Sequence, residues 1–358
     1  MNIKGRLRTV GATVLLMVSG VTQAQTLAKE ADCNAIGGTW DFNTQPPQVY
    51  RCVLSQYYEV RSGTRLEVFF GVELEVSGNG VLENRGQLEV RDTGLVHING
   101  GTLINNTTLY ADNRAEVTFT RGSVRNQGSL NIEGDVVINN TYRRPDRSRE
   151  CLINNGTITL FSGGNLISEG GCIDTFSSGM TEVLETGTMI IGRDAIYRTR
   201  GRHTINGRVL VEAGGFAELS APTISGELDV YGRVTMPRGV VPLAQARSEF
   251  LAGSKTRIEQ FASVIIDTRG LQIDGDIAMR NTARLHLNSS DINIGETGVV
   301  SMRNGSKTTT NTVATNEGTI YRDCLSFWDG PVPSQNKIIS APCTPFRPKA
   351  PFGPIVFP

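Results

Sequence analysis

Short apolar–polar alternations run through most of this chain, punctuated by glycine and asparagine. One cassette keeps returning: NRGQLEV from Asn84, NNTTLYA from Asn105, NQGSLNI from Asn126, NNGTITL from Asn154 and NEGTIYR from Asn316. The first three copies start 21 residues apart, and the next step of 28 takes in an insertion containing YRRPDRSREC. SGTRLEV at Ser62 extends the series backwards, while GTMII, GRVLV and GELDV, from Gly187, Gly207 and Gly226, extend it forwards in steps of 20 and 19. A repeat of about 20 residues marks a solenoid.

Residues 84–104 contain three such alternations, at 88–90, 95–98 and 102–104, each bounded by Gly or Asn. Period two reads as strand, and helical spacing is absent. One period cannot bury its own apolar side, so successive periods must stack. The pattern predicts an all-β parallel β-helix (β-solenoid) of about 20–22 residues per coil, its parallel connections favouring right-handed winding. Inward Leu and Val meet their counterparts about 4.8 Å above and below. The repeated Asn is placed to hydrogen-bond along the stack, as Asn ladders do. The Gly two residues later, replaced by Thr107 in one copy, is expected to supply a positive φ at a tight corner. Residues 60–322 would make roughly a dozen coils, a rod of about 60 Å.

The chain divides accordingly. Residues 1–24 read as a signal peptide: Lys4, Arg6 and Arg8 precede an apolar run from Val10 to Val21 that is too short to span a membrane, and Ala24 precedes the expected cut. Residues 25–59 form an N-terminal cap, 60–236 the solenoid and 237–257 an irregular excursion. Pro237 and Pro242 interrupt pairing in that excursion, and LAQARSEFLA (243–252) is its one candidate helix. The solenoid resumes over 258–323, followed by a disulfide loop at 324–343 and a Pro-rich apolar tail at 344–358.

The NxGxLxV pattern with Gly/Asn corners resembles the parallel β-helix segments of bacterial secreted surface proteins, such as autotransporter passengers and filamentous adhesins. It covers 60–235 well and 255–322 loosely. The resemblance implies a fold and an extracellular, Gram-negative setting. A C-terminal run of membrane strands and an NPNL-type secretion motif are both missing from the sequence.

Composition agrees, with 39% hydrophobic residues, 6% aromatics and 40 glycines. The formal charge is zero, and losing the leader's three basic residues would make the exported chain acidic, so a nucleic-acid partner is not expected. Only six lysines are present, so most of the positive charge is arginine, which suits packed contacts. Six cysteines fall into close pairs, Cys33 with Cys52, Cys151 with Cys172 and Cys324 with Cys343. Local disulfides are expected for an exported protein.

Both ends carry a cysteine-bracketed loop with prolines and a Trp-Asp pair, Trp40-Asp41 and Trp328-Asp329, and these hold the only two tryptophans. They read either as caps on the open coil edges or as faces for head-to-tail joining. In the tail, prolines alternate with Phe346, Phe352, Ile355, Val356 and Phe357, a segment for docking on its own rod or on a neighbour.

Catalytic chemistry is thin. Asp267, Asp274, Asp276 and Asp291, with Arg269, Arg280 and Arg284, would need to gather on one face to hold Ca²⁺ or act on a glycan. His97, His203 and His286 lack motif partners, and the paired aspartates of polygalacturonases are not present. Two arginine-rich turns, with Arg143, Arg144, Arg147 and Arg149 and with Arg198, Arg200 and Arg202, would suit an anionic polysaccharide or a partner's carboxylates. The sequons overlap the repeat and are attributed to corner chemistry. The sequence therefore predicts a secreted, non-enzymatic structural protein with no cofactor, metal or transmembrane anchor. It would self-assemble head to tail, the alternative being a glycan-binding adhesin or a polysaccharide-active enzyme.

Overall fold

A computed structural model describes residues 23–43, 49–112, 114–138, 151–161, 163–220, 222–237, 247–331, 333 and 338–340. Residues 1–22 of the leader, the first arginine-rich turn with Arg143 to Arg149, Cys343 and the tail with Phe346 to Phe357 lie outside these residues, whereas Gln23 and Ala24, on the leader's side of the expected cut, belong to the first strand.

The strands form a parallel β-solenoid of about 12 turns. Three stacked faces repeat. The first begins with Gln23–Leu27, which pairs with Thr64–Val68 and onward to Gln87–Val90. The second begins with Val49–Leu54 against residues 72–76. The third begins with Tyr57–Val60 against Val81–Asn84. Inward side chains of one face stack directly, so Leu66, Leu88, Leu109, Leu130 and Ile158 make one continuous file. All five are buried, and each Leu→Ala change there would cost about 2–5 kcal/mol.

The asparagine cassette is a ladder on the third face. Asn84, Asn105, Asn126 and Asn154 are buried and in register. Nδ2 of Asn84 donates to Oδ1 of Asn105 at 2.7 Å, Asn105 to Asn126 at 2.7 Å, and Asn126 to Asn154 at 2.8 Å. Each amide also donates to a backbone carbonyl of the following coil, as Asn105 does to Ser129 at 2.9 Å. The file ends on Thr175, whose hydroxyl accepts from Asn154 at 3.4 Å.

Two expectations about the cassette change. Gly86, Gly128 and Gly156 have no positive φ. A Cβ on any of them would run into backbone of the preceding coil, that of Thr64, Thr107 and Gly128 respectively. The corner demands close backbone approach and not a left-handed conformation. Thr107 is tolerated among them because its hydroxyl donates to the Gly86 carbonyl. The copies also divide between two corners. Asn84 to Asn154 precede first-face strands, whereas Gly187, Gly207, Gly226 and Asn316 precede second-face strands. Asn316 follows Ile294 in its file, and its buried amide has no hydrogen-bond partner.

The helix expected at 243–252 is not formed over its described part. Arg247–Phe250 is a strand seated between Thr223–Ile224 and residues 270–273. Ser248 and Phe250 alternate inward there, so the stack overrides the local helical preference. Among the described residues the helix lies elsewhere, at Glu30–Ala35 in the N-terminal cap.

Two disulfides match the expected pairing. Cys33–Cys52 ties that helix to the first second-face strand, and Cys151–Cys172 joins in-register positions of adjacent coils. Cys324 is disulfide-bonded as well.

The ladder predicts opposite outcomes for two buried asparagines. Asn105→Ala leaves the Asn84 donor and the Asn126 acceptor bare and should destabilise by about 3 kcal/mol. Asn316→Leu removes an amide with nothing to bond and should be neutral or stabilising. Urea-unfolding midpoints of the two variants check this, and equal losses would refute the ladder's role.

Candidate functional site: the two ends of the solenoid

At the N-terminal end the coil stops on an antiparallel hairpin, Thr39–Asn43 against Val49–Leu54. Trp40 stacks on Tyr50 with ring centroids 5.5 Å apart, and Phe42 leans on Tyr50 at 5.1 Å. Trp40 packs on the core, while Phe42 and Tyr50 stay exposed. On the outer side Arg51 bridges Asp41 at 2.8 Å and Glu75 at 2.9 Å. The Arg51 hydrogen bond holds the Asp41 carboxyl below its usual range. Arg51 thereby clamps the hairpin onto the next coil.

Beside the hairpin lies a cleft of about 700 Å³ between the first strands of the first and third faces. Gln25, Asp32, Tyr57, Tyr58, Glu59, Arg61 and Arg65 line it. Tyr58 donates its hydroxyl to the Gln25 side chain at 3.0 Å. Tyr57 donates to Glu83 at 2.7 Å and Glu59 at 3.2 Å; these bonds, the one to Glu83 first, push its pKa up to about 12. Phe69 and Phe70 are exposed one corner away. Neither the cleft nor these aromatics was identified from the sequence, although the adjacent pairs YY and FF break the alternation and were the available signal.

The C-terminal end is built differently. Phe327–Asp329 continues the third face in parallel on residues 307–309, and Ile338–Ser340 continues the second face on residues 320–322. Trp328 packs on the core and donates Nε1–H to the Pro331 carbonyl at 3.2 Å. Asp329 is bridged by Lys307 at 2.7 Å. Tyr321, Leu325, Phe327 and Ile339 are exposed around it. The two Trp-Asp pairs thus share a packed indole and a paired carboxylate but sit in unlike frameworks, one antiparallel and one parallel.

The other candidates scatter. Arg200 lies over the Phe176 ring at 5.8 Å, and Arg198 approaches Asp174 at 4.0 Å. Arg202 is exposed on the next face. Burial raises the Asp174 pKa despite these two guanidiniums. Asp267 stands at the third-to-first corner, Asp291 on the first face, Asp274 at the next corner and Asp276 on the second face, so the coil spreads them around its perimeter. Asp274 accepts from Gln272 at 2.8 Å, and Arg280 faces Glu259 at 3.9 Å. Arg269 and Arg284 are exposed. Among the described residues no three metal-ligating side chains gather. His97 sits between Glu73 at 3.1 Å and Thr120 at 2.7 Å, and His286 is half-buried on the third face.

His203 is the unexpected one. It occupies the inward file that holds leucines in earlier coils, and its Nδ1 meets the hydroxyl of buried Tyr197 at 3.0 Å. Its Nε2 is buried without a partner, and burial pulls its pKa down to about 3.

Fold and ends together define a disulfide-stapled parallel β-solenoid, in which no helix among the described residues is long and apolar enough to cross a membrane. The disulfides fit an extracellular protein. No protein-family model and no curated protein sequence matches this chain. Among solved structures it is similar to a TibC-catalysed, hyper-glycosylated TibA fragment at 14% identity, covering 89% of this chain and 98% of that one, with a TM-score of 0.30. That score is too low to carry an argument, so the strand pairing alone establishes the fold.

His203 makes a signed pH prediction. Unfolded, the imidazole titrates near 6.5; folded, it stays neutral down to about 3. The unfolded state therefore takes up a proton that the native state refuses. Stability from this site is complete above pH 6.5 and falls by about 1.4 kcal/mol per pH unit until the folded pKa is reached. Unfolding free energies between pH 7 and 4 should be measurably flatter for His203→Gln than for the parent, and parallel curves would refute this.

Proposed function

We propose that this protein is a non-catalytic structural subunit of an extracellular fibre or matrix, exported through a Gram-negative envelope and joined head to tail through its ends. The observation that carries this reading is where large apolar side chains reach solvent. Phe42, Tyr50, Tyr57, Phe69 and Phe70 cluster at the N-terminal end, and Tyr321, Leu325, Phe327 and Ile339 at the C-terminal end. Five more, Phe176, Tyr231, Leu251, Phe261 and Val313, are spread singly along the much longer flank between them, and apolar side chains gathered at one place mark an interaction surface.

The strand edges point the same way. Among the described residues Tyr57–Val60 pairs only with the following coil, and Phe327–Asp329 only with the preceding one. Because the two ends differ in framework, contact between them is heterologous, and a contact that does not close on itself gives a filament.

Purified protein viewed by negative-stain electron microscopy should show unbranched filaments of one rod's width. Deleting 344–358 should abolish them. Protein that stays monomeric with or without the tail contradicts the reading.

A glycan-binding surface protein is the second reading. It rests on the Phe176 ring, its covering Arg200 and the half-buried Asp174, a combination suited to a sugar face and its hydroxyls. Binding on a glycan array that Phe176→Ala removes would favour it.

A further inference from the structure

We propose that the cleft at the N-terminal end is a receptor for the C-terminal tail of a second copy of this chain, bound as a polyproline II helix. The proposal deepens the head-to-tail reading and rests on it.

The tail's chemistry is specific. Proline stands at 345, 348, 351 and 354, every third residue. Polyproline II has three residues per turn, so a tail bound in that conformation would set these rings along one edge, and proline's fixed φ would keep the entropy lost on docking small. Arg347 and Lys349 lie between them, and residues 344–358 contain no acidic side chain.

The cleft offers what such a helix needs, which is aromatic walls and acidic groups beside them. Tyr57, 55% exposed, supplies the open ring, and Tyr58, half-buried against the core on the inner side of the same strand, lines the cleft beside Gln25. Asp32 and Glu59 supply the carboxylates. Of the two arginines present, Arg65 is matched by Glu67 at 3.1 Å and Glu89 at 3.4 Å, leaving Arg61 against two acids.

Reach decides which copy supplies the tail. The last described strand ends at Ser340, at the far end of the rod from the cleft. Fully extended, the chain carries Pro354 about 50 Å from Ser340. Stacked coils put the cleft of the same molecule about 55–60 Å away, before any turn around the rod's end. The tail therefore cannot occupy its own cleft, whereas a neighbour joined head to tail presents its cleft beside Ser340.

The test is fluorescence anisotropy of a labelled peptide of residues 344–358 titrated with the full chain. Saturable binding is expected, weakened about tenfold by Tyr57→Ala and likewise by Glu59→Lys. A peptide carrying Ala at 348 and 351 should bind more weakly by a similar factor. Tyr57 is largely exposed, so its loss leaves the coil intact, and Glu59→Lys gives an independent readout. No saturation below about 1 mM, or equal affinity for the parent and both variants, overturns the proposal. Filaments seen alongside a peptide that does not bind would remove this inference and leave the fibre reading standing. Binding without filaments would do the reverse.

Discussion

Everything in this molecule follows from in-register stacking of one coil on the next, about 4.8 Å apart. Under that constraint each side chain's neighbours are its own counterparts above and below. An apolar position works when the whole file is apolar, as from Leu66 to Ile158. A buried polar position works only if its group can both give and accept along the axis, and a carboxamide can. Asn105, Asn126 and Asn154 do both, Asn84 at the start of the file gives without accepting, and solitary Asn316 does neither. Where the chain turns, coil backbones approach so closely that a Cβ has no room, which explains the glycines at 86, 128 and 156. The charged exterior obeys the same rule. Asp229 is held between Arg208 at 2.8 Å and Arg257 at 3.1 Å, contributed by the coils on either side.

Stacking has no internal stop, so the ends need separate devices. The N-terminal end reverses chain direction: an antiparallel hairpin, pinned by Cys33–Cys52 and by Arg51, replaces the next parallel rung. The C-terminal end keeps the parallel direction through Phe327–Asp329 and Ile338–Ser340. The two ends therefore present unlike edges, so a contact between them would be heterologous.

Much of the fold was legible because the solenoid's rule is periodic. Strand period two, a coil near twenty residues, the asparagine file and local disulfides all follow from spacing. What spacing hid was three-dimensional. The cassette at Gly187 looks like the one at Asn154 but turns a different corner, because coil lengths drift and the motif moves with them. Residues 247–250 have helical composition locally, yet the stack holds them as strand. Spacing also gave no sign that some arginines clamp neighbouring coils together, as at 51, 208 and 257. Of the end sites, the tryptophan loops were legible from their cysteine brackets. The tyrosine cleft was not, since it arises only when residues 25, 32 and 57 are brought together.

Association along the rod axis through unlike ends, as proposed, can be tested by small-angle X-ray scattering across a protein concentration series. The cross-sectional radius of gyration should stay constant while particle length grows in steps of about 60 Å, one rod at a time. A cross-section that grows with concentration, or scattering from a single rod at every concentration, would contradict it.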